Sequence, residues 1–211
     1  NSQYQDLFAM HGSKMKSENT NKLNQLSPEE LGKLFPISLV EPQAEWKLLF
    51  EKEKELITSI IGDHAIRIEH IGSTAIPNIK AKPIIDILVE IPNNTSIKDE
   101  IITLMKTKGY IFILREDRPP AYLSFLKGYT NKGYKGNIFH IYMAEKEHTT
   151  LWDRLYFRNY LNEYGDIGKE YELLKESLAA ENKYNREAYT SGKDVLVENV
   201  TQIAKQHYQK V

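Results

Sequence analysis

Residues 69–90 read EHIGSTAIPNIKAKPIIDILVE, and this stretch decides the fold. It holds the end of one strand, a turn-rich connection and a whole second strand. Leading into it, Ala65–Ile71 alternates, with Ile66, Ile68 and His70 on one side and Arg67 and Glu69 on the other. That is the pattern of a strand with one face buried. Pro83–Ile91 is apolar on both faces apart from Asp86 and Glu90, which predicts a central strand of a sheet. Between them Gly72 permits a tight turn and close backbone approach. Ser73 and Thr74 can cap a short helical turn whose N–H groups suit an anion such as phosphate. Lys80 and Lys82 on the same connection add positive charge. A carboxylate at Asp86, on an otherwise apolar strand, costs several kcal/mol unless it is paired or holds a cation. An anion cradle and a cation ligand thus lie on adjacent strands, the minimum equipment for a metal–nucleotide and for phosphoryl or nucleotidyl transfer. The plainer alternative is a simple turn, with Asp86 paired to Lys80 or Lys82.

Working outward, Ser27-Pro28-Glu29-Glu30 signals a capped helix start. Residues 43–61 carry Trp46, Leu49, Phe50, Ile57, Ile60 and Ile61 at helical spacing opposite a Glu/Lys face. Residues 96–108 predict a helix and 110–114 a strand. Residues 121–126 and 136–143 predict two strands joined by a hairpin at 127–135, and 115–120 is a charged turn. From Lys146 onward the pattern is helical, with Val195, Val197, Val200, Ile203 and Ala204 supporting a terminal helix. The expected architecture is α+β: a small mixed sheet at about 65–144, helices packed mostly on one side, and a helical C-terminal third at about 146–209.

The chain has 211 residues, 41% hydrophobic and 27% charged, values of one ordered domain rather than a disordered chain. Residues 26–211 read as that domain, and 1–25 as a tag or disordered tail. Cysteine is absent, which excludes disulfides, thiolate zinc sites and cysteine nucleophiles. No apolar run approaches the roughly 18–20 residues of a membrane span. A net charge of −1 and the lack of a basic patch argue against nucleic acid as a partner. These features predict a cytoplasmic protein. Zinc-protease HExxH, GxxxxGK[ST], GxGxxG and GxSxG motifs are all missing from the sequence.

His70-Ile-Gly-Ser-Thr-Ala-Ile-Pro77 followed by Lys82-Pro-Ile-Ile-Asp86 resembles the signature of the GrpB family. The likeness extends to Leu34–Ile37 with Trp46 and Phe50, Gly109-Tyr110, Phe139-His140-Ile141, Phe157–Leu161, Tyr171 with Leu174-Lys175, and Tyr189 with Lys193. It implies a nucleotidyltransferase-like fold of the DNA polymerase β type. It also implies a nucleotide or small phosphorylated ligand, with Mg2+ or Mn2+ at Asp86. Asp86 and His140 are the expected catalytic residues. Gly72, Ser73, Thr74, Lys80, Lys82 and Arg158 are the expected phosphate contacts, with His70 and Glu90 elsewhere in the pocket.

One departure weighs on the chemistry. Nucleotidyltransferases of this type carry two acids two residues apart, about 6.6 Å along one face, so that both reach a metal pair. Here the second position is Leu88. Glu90 is about 13 Å from Asp86, too far to share the metals. A neutral imidazole at His140 replaces a carboxylate poorly toward magnesium. The readings are therefore metal-dependent nucleotidyl transfer, or a non-catalytic ligand-binding or regulatory module with a degenerate metal site. On the first reading, Leu88→Asp is expected to raise activity. His70 is either a core-edge residue or a pocket residue. His140 is a metal ligand, a proton relay or a structural hydrogen-bond partner to Asp86. Arg158 is either salt-bridged to Glu163 or Asp153, or a phosphate clamp; Lys175 and Lys193 carry weaker claims of the same kind. Tyr110, Tyr122, Tyr134 and Tyr142 read as strand packing, and 129–135 as a solvated hairpin.

Overall fold

The capping signal at Ser27 is realised in full. Glu30 N–H donates to Ser27 Oγ at 3.2 Å and Ser27 N–H to the Glu30 carboxylate at 2.8 Å, opening helix α1 (Pro28–Leu34). The structure, a computed structural model, describes residues 23, 25–116 and 120–209. Helix α2 (Glu45–Ile61) stops at Gly62, whose φ of +56° closes the helix as glycine alone does cheaply. Strands β1 (Arg67–Ile71) and β2 (Ile84–Glu90) follow, then α3 (Thr95–Thr107), which Asn94 caps through Ile97 N–H. Strands β3 (Ile111–Arg115), β4 (Tyr122–Thr130) and β5 (Gly133–Ala144) complete the sheet. Helices α4 (Thr149–Glu163), α5 (Gly165–Glu181), α6 (Arg186–Ser191) and α7 (Asp194–Gln209) form the C-terminal third.

The five strands lie in the order β1-β2-β5-β4-β3. Among the described residues only strands β2 and β5 pair in parallel; the other strand pairs are antiparallel. The fold is the expected mixed α+β sheet, but its helices are not confined to one side. Ile85, Ile87 and Val89 of β2 pack with Trp46, Phe50 and Ile57 of α2 and with Ile101 and Met105 of α3. Ile84 and Leu88, on the opposite face, belong to a cluster with Leu31, Phe35, Leu151 and Leu155 of α1 and α4 and the residues following α1. A strand apolar on both faces needs cover on both. A third cluster joins Ile76 and Ile79, in the β1–β2 connection, to Phe157, Leu161, Tyr171, Val197 and Val200 of the C-terminal helices. The C-terminal third is thereby anchored on the turn-rich segment.

Four expectations need correction. Leu23, placed in the tail by its polar neighbours, is 1% exposed and part of the core; the rest of the tail reading, at 1–22 and 24, lies outside the described residues, as does 117–119 of the charged turn. Ile66 is exposed, because β1 is an edge strand and begins only at Arg67. In α7 the buried stripe is Val197, Val200, Thr201 and Ala204, while Val195 and Ile203 are 73% and 51% exposed. The hairpin is far shorter than 127–135. Its strands run to Thr130 and from Gly133, because Tyr129 packs edge-on against Phe35 and Tyr134, and Tyr134 lies tilted against Phe35. The ladder absorbs the change by a register shift between Lys127 and Tyr129, where Gly128 takes φ +90°.

Candidate functional site

The β1–β2 register sets Ile71 opposite Asp86, and the β2–β5 register sets Asp86 beside His140. The turn that follows β1 is thereby folded over the carboxylate. Gly72 takes φ +72°, and a Cβ there would fall 2.4 Å from Asp86 Oδ2. After it, Ala75 and Ile76 N–H close a tight helical turn onto the carbonyls of Gly72 and Ser73.

Asp86 Oδ1 receives two contacts, from His140 Nδ1 at 3.3 Å and from the Tyr142 hydroxyl at 3.3 Å. His140 Nε2 lies 2.6 Å from the Tyr129 hydroxyl. A carboxylate only accepts, so Nδ1 carries the proton and Nε2 accepts from Tyr129. Tyr129, His140 and Asp86 form one directed chain. Burial pushes the Asp86 pKa up, but the hydrogen bond from His140, with the charges of Arg154 and Lys82, outweighs it and holds the carboxyl below its usual range. Burial and the neighbouring Asp86 push the Tyr142 hydroxyl up, so it stays a donor.

Above this floor lies a cleft that opens to solvent at its mouth. Sheet residues form one wall, and Phe157, Tyr171, Tyr189 and Thr190 from the C-terminal helices form the other. Four cationic side chains line it: Lys82, Arg115, Arg154 and Lys193. Three of them are seated on rings. The Arg154 guanidinium lies 4.5 Å over Tyr142, while Lys193 and Lys82 lie 4.4 and 5.2 Å over Tyr189. Among the described residues, Asp86 is the only carboxylate that lines it.

Of the residues expected from the sequence, Gly72, Ser73, Thr74, Lys82, Asp86 and His140 meet in this cleft. The others do not. Lys80 turns away to Glu176 at 2.7 Å and Glu41 at 3.3 Å. Arg158 donates to Glu69 at 2.9 Å and to the His70 carbonyl at 2.7 Å, strapping α4 to β1 instead of facing the cleft. Neither Glu163 nor Asp153 is its partner: Tyr208 and Lys205 take those. His70 pairs with Ile87 and points to the opposite face of the sheet, stacked on Phe50 at 4.8 Å. Thr74 Oγ1 donates to the Ile84 carbonyl at 3.1 Å, so it accepts from His70 Nε2 at 3.0 Å. Burial drives the His70 pKa down to about 4, with Asp86 opposing and Arg158 assisting. Glu90 lies two pleats beyond Asp86, next to Arg67 and Ala144, and is not among the lining residues.

Sequence reasoning passed over Arg115 and Arg154. Arg115 read as the start of a charged turn, yet it ends β3 and is buried. Arg154 is one helical turn before Arg158, and spacing alone does not say which of the two faces the sheet.

The donor set does not fit a two-metal centre. Leu88, at the second acid position, is 0% exposed and packed among apolar side chains beneath α4. Among the described residues no group of three or more His, Cys, Asp or Glu side chains could hold a metal ion. No helix among the described residues is long and apolar enough to cross a membrane.

A five-stranded mixed sheet with helices on both faces, and a glycine turn folded over a sheet carboxylate, define an α+β domain with which a nucleotidyltransferase-like classification is consistent. The GrpB protein family profile matches residues 36–203, and the chain belongs to that family. It is 35% identical over 168 residues to the glutamate-rich protein GrpB of Alkalihalophilus pseudofirmus, covering 78% of this chain and 93% of that protein. It is 33% identical over 177 residues to the UPF0157 protein YqkA of Bacillus subtilis, covering 82% of this chain. The chain spans about half the length of that relative, 49%. The crystal structure of conserved protein GrpB from Enterococcus faecalis superposes with a TM-score of 0.72 at 28% identity, covering 82% of this chain and 99% of that one.

Proposed function

We propose that the cleft binds a nucleotide or another small phosphorylated molecule by its phosphate group. The observation that carries this reading is the convergence of Lys82, Arg115, Arg154 and Lys193, from four separate places in the chain, on a cleft lined, among the described residues, by one carboxylate. Guanidinium groups hold phosphate by paired, charge-assisted hydrogen bonds, and lysines add point charge. The Gly72–Thr74 backbone lies at the same cleft and brings small, close-approaching main chain to the ligand. Asp86 and His140 supply a polar floor on which a ligand hydroxyl or amine can be oriented.

This reading makes the protein a ligand-binding or regulatory module rather than a nucleotidyltransferase. Leu88 supports that choice, because it is packed where a second metal-binding acid would stand. The test is a thermal-shift panel of phosphate, pyrophosphate and nucleoside mono-, di- and triphosphates, each with EDTA and with magnesium. A bound ligand at about 100 times its Kd adds about 2.7 kcal/mol and raises Tm by a few degrees. Arg154→Gln is expected to diminish the rise. If no phosphorylated compound raises Tm under either condition, the reading is wrong.

A further inference from the structure

We propose that Arg154, with Lys82, takes the electrostatic place of a divalent cation above Asp86, so that this cleft holds its phosphorylated ligand without metal. The inference rests on the phosphate-binding reading and says how that binding is powered. In a metal-using site of this topology, cations bridge the sheet acids and the ligand's phosphates. Such a site needs carboxylates grouped together, and this chain offers one where a pair is needed.

Arg154 is placed to do the cation's work. Its guanidinium stacks on Tyr142 at 4.5 Å. Tyr142 in turn donates to Asp86 Oδ1 at 3.3 Å and is the β5 neighbour of Leu88. The positive charge thus stands on the ring whose hydroxyl binds Asp86, on the strand that pairs with Leu88. Lys82 enters the same cleft from the β1–β2 connection, held over the Tyr189 ring at 5.2 Å. Asp86 feels both as cations. Its Oδ1 is already engaged by His140 and Tyr142, and its Oδ2 faces Gly72 so closely that a Cβ would collide. The carboxylate is built into a hydrogen-bond network, and the phosphate is left to the cationic side chains around it. A fixed guanidinium costs nothing to recruit and binds in a planar, bidentate fashion.

The experiment is calorimetric titration of the full chain with inorganic pyrophosphate and with ATP, once in EDTA and once in magnesium. The expected result is a Kd in EDTA within about three-fold of that in magnesium, and a loss of at least ten-fold in EDTA for Arg154→Gln. Circular dichroism and Tm establish that the variant is folded. If it is not, Lys82→Gln takes its place, with the same expected loss. Binding that appears only in magnesium overturns this inference and leaves the phosphate-binding reading standing. Binding in EDTA that Arg154→Gln and Lys82→Gln leave unchanged overturns it as well. Absence of binding under either condition removes the phosphate-binding reading and this inference with it.

Discussion

Gly72 and Asp86 are in contact across the β1–β2 pair: a Cβ on Gly72 would lie 2.4 Å from Asp86 Oδ2 and 2.9 Å from Asp86 Cβ. Glycine is required here twice, for the positive φ and for the space. Gly72→Ala is expected to lower stability by about 2–4 kcal/mol, since strain and collision add. It should also displace the carboxylate from His140. Urea denaturation measures the first effect, and the NMR shift of the His140 ring the second.

The buried histidine on the other face gives a pH signature. His70 is held near a pKa of about 4, chiefly by burial, against an ordinary 6.5. Between those values the unfolded chain binds the proton and the folded chain does not. Stability therefore rises with pH across this window; it is complete above about 6.5 and is lost as pH falls toward 4. The span corresponds to a loss of about 3 kcal/mol. His70→Gln should flatten the denaturation midpoint between pH 4 and 6.5. An unchanged slope in the variant would show that His70 is not its source.

Lys175 gives a second, separable slope. It is buried, donates to the Lys80 carbonyl and lies 4.8 Å over the Tyr171 ring. Burial lowers its pKa to about 7, with Glu172 opposing and Lys82 assisting. Between about 7 and 10.5 the unfolded chain again holds the extra proton, so stability climbs with pH through that window. Lys175→Met should abolish the climb and raise stability at pH 7, as judged by denaturation at pH 7 and 9.5.

The sequence made the sheet legible because its signals are local. Alternation in β1, an apolar β2 and the Ser27 cap each depend on a few adjacent residues. The meeting of Gly72, Asp86 and His140 was legible through resemblance, since it depends on how β2 and β5 pair. What stayed hidden was the orientation of long cationic side chains. Lys80 and Lys82 are two residues apart, yet one serves Glu176 and the other the cleft. Arg154 and Arg158 share a helix, and only the docking of α4 decides which is strap and which is wall. Tyr129 was read as hairpin surface because its partner, His140, is eleven residues on, across a ladder whose register shift the sequence does not announce.

Leu88 reverses one expectation from the sequence. Restoring an acid at this position looked like a route to activity. In the fold the side chain is fully buried among Ile71, Ile84, Leu151 and Leu155. Leu88→Asp places a carboxylate in that apolar cluster, at a cost of several kcal/mol. The expected outcome is a Tm lowered by about 10 °C or more, or insoluble protein, with no gain in nucleotidyl transfer. A soluble variant of unchanged Tm would mean that α4 yields and exposes this position.

Arg158 separates the strap from the wall. Its guanidinium holds Glu69 and the His70 carbonyl, and both members of the ion pair are largely shielded from solvent. Burial raises the Glu69 pKa, but Arg158 and Arg67 more than reverse this, so the pair is charged at neutral pH. Arg158→Gln leaves Glu69 with Arg67 alone and is expected to cost about 1–3 kcal/mol of stability. Because the side chain is turned away from the cleft, the Kd for pyrophosphate should stay within about two-fold of the parent protein under conditions where both are folded. Arg154→Gln, one turn earlier on the same helix, should show the opposite pattern: weakened binding with a smaller change in Tm. Running the two variants side by side in denaturation and calorimetry tests the placement of α4 directly. Weakened binding in Arg158→Gln, with Arg154→Gln unaffected, would mean that the helix presents its other face to the ligand.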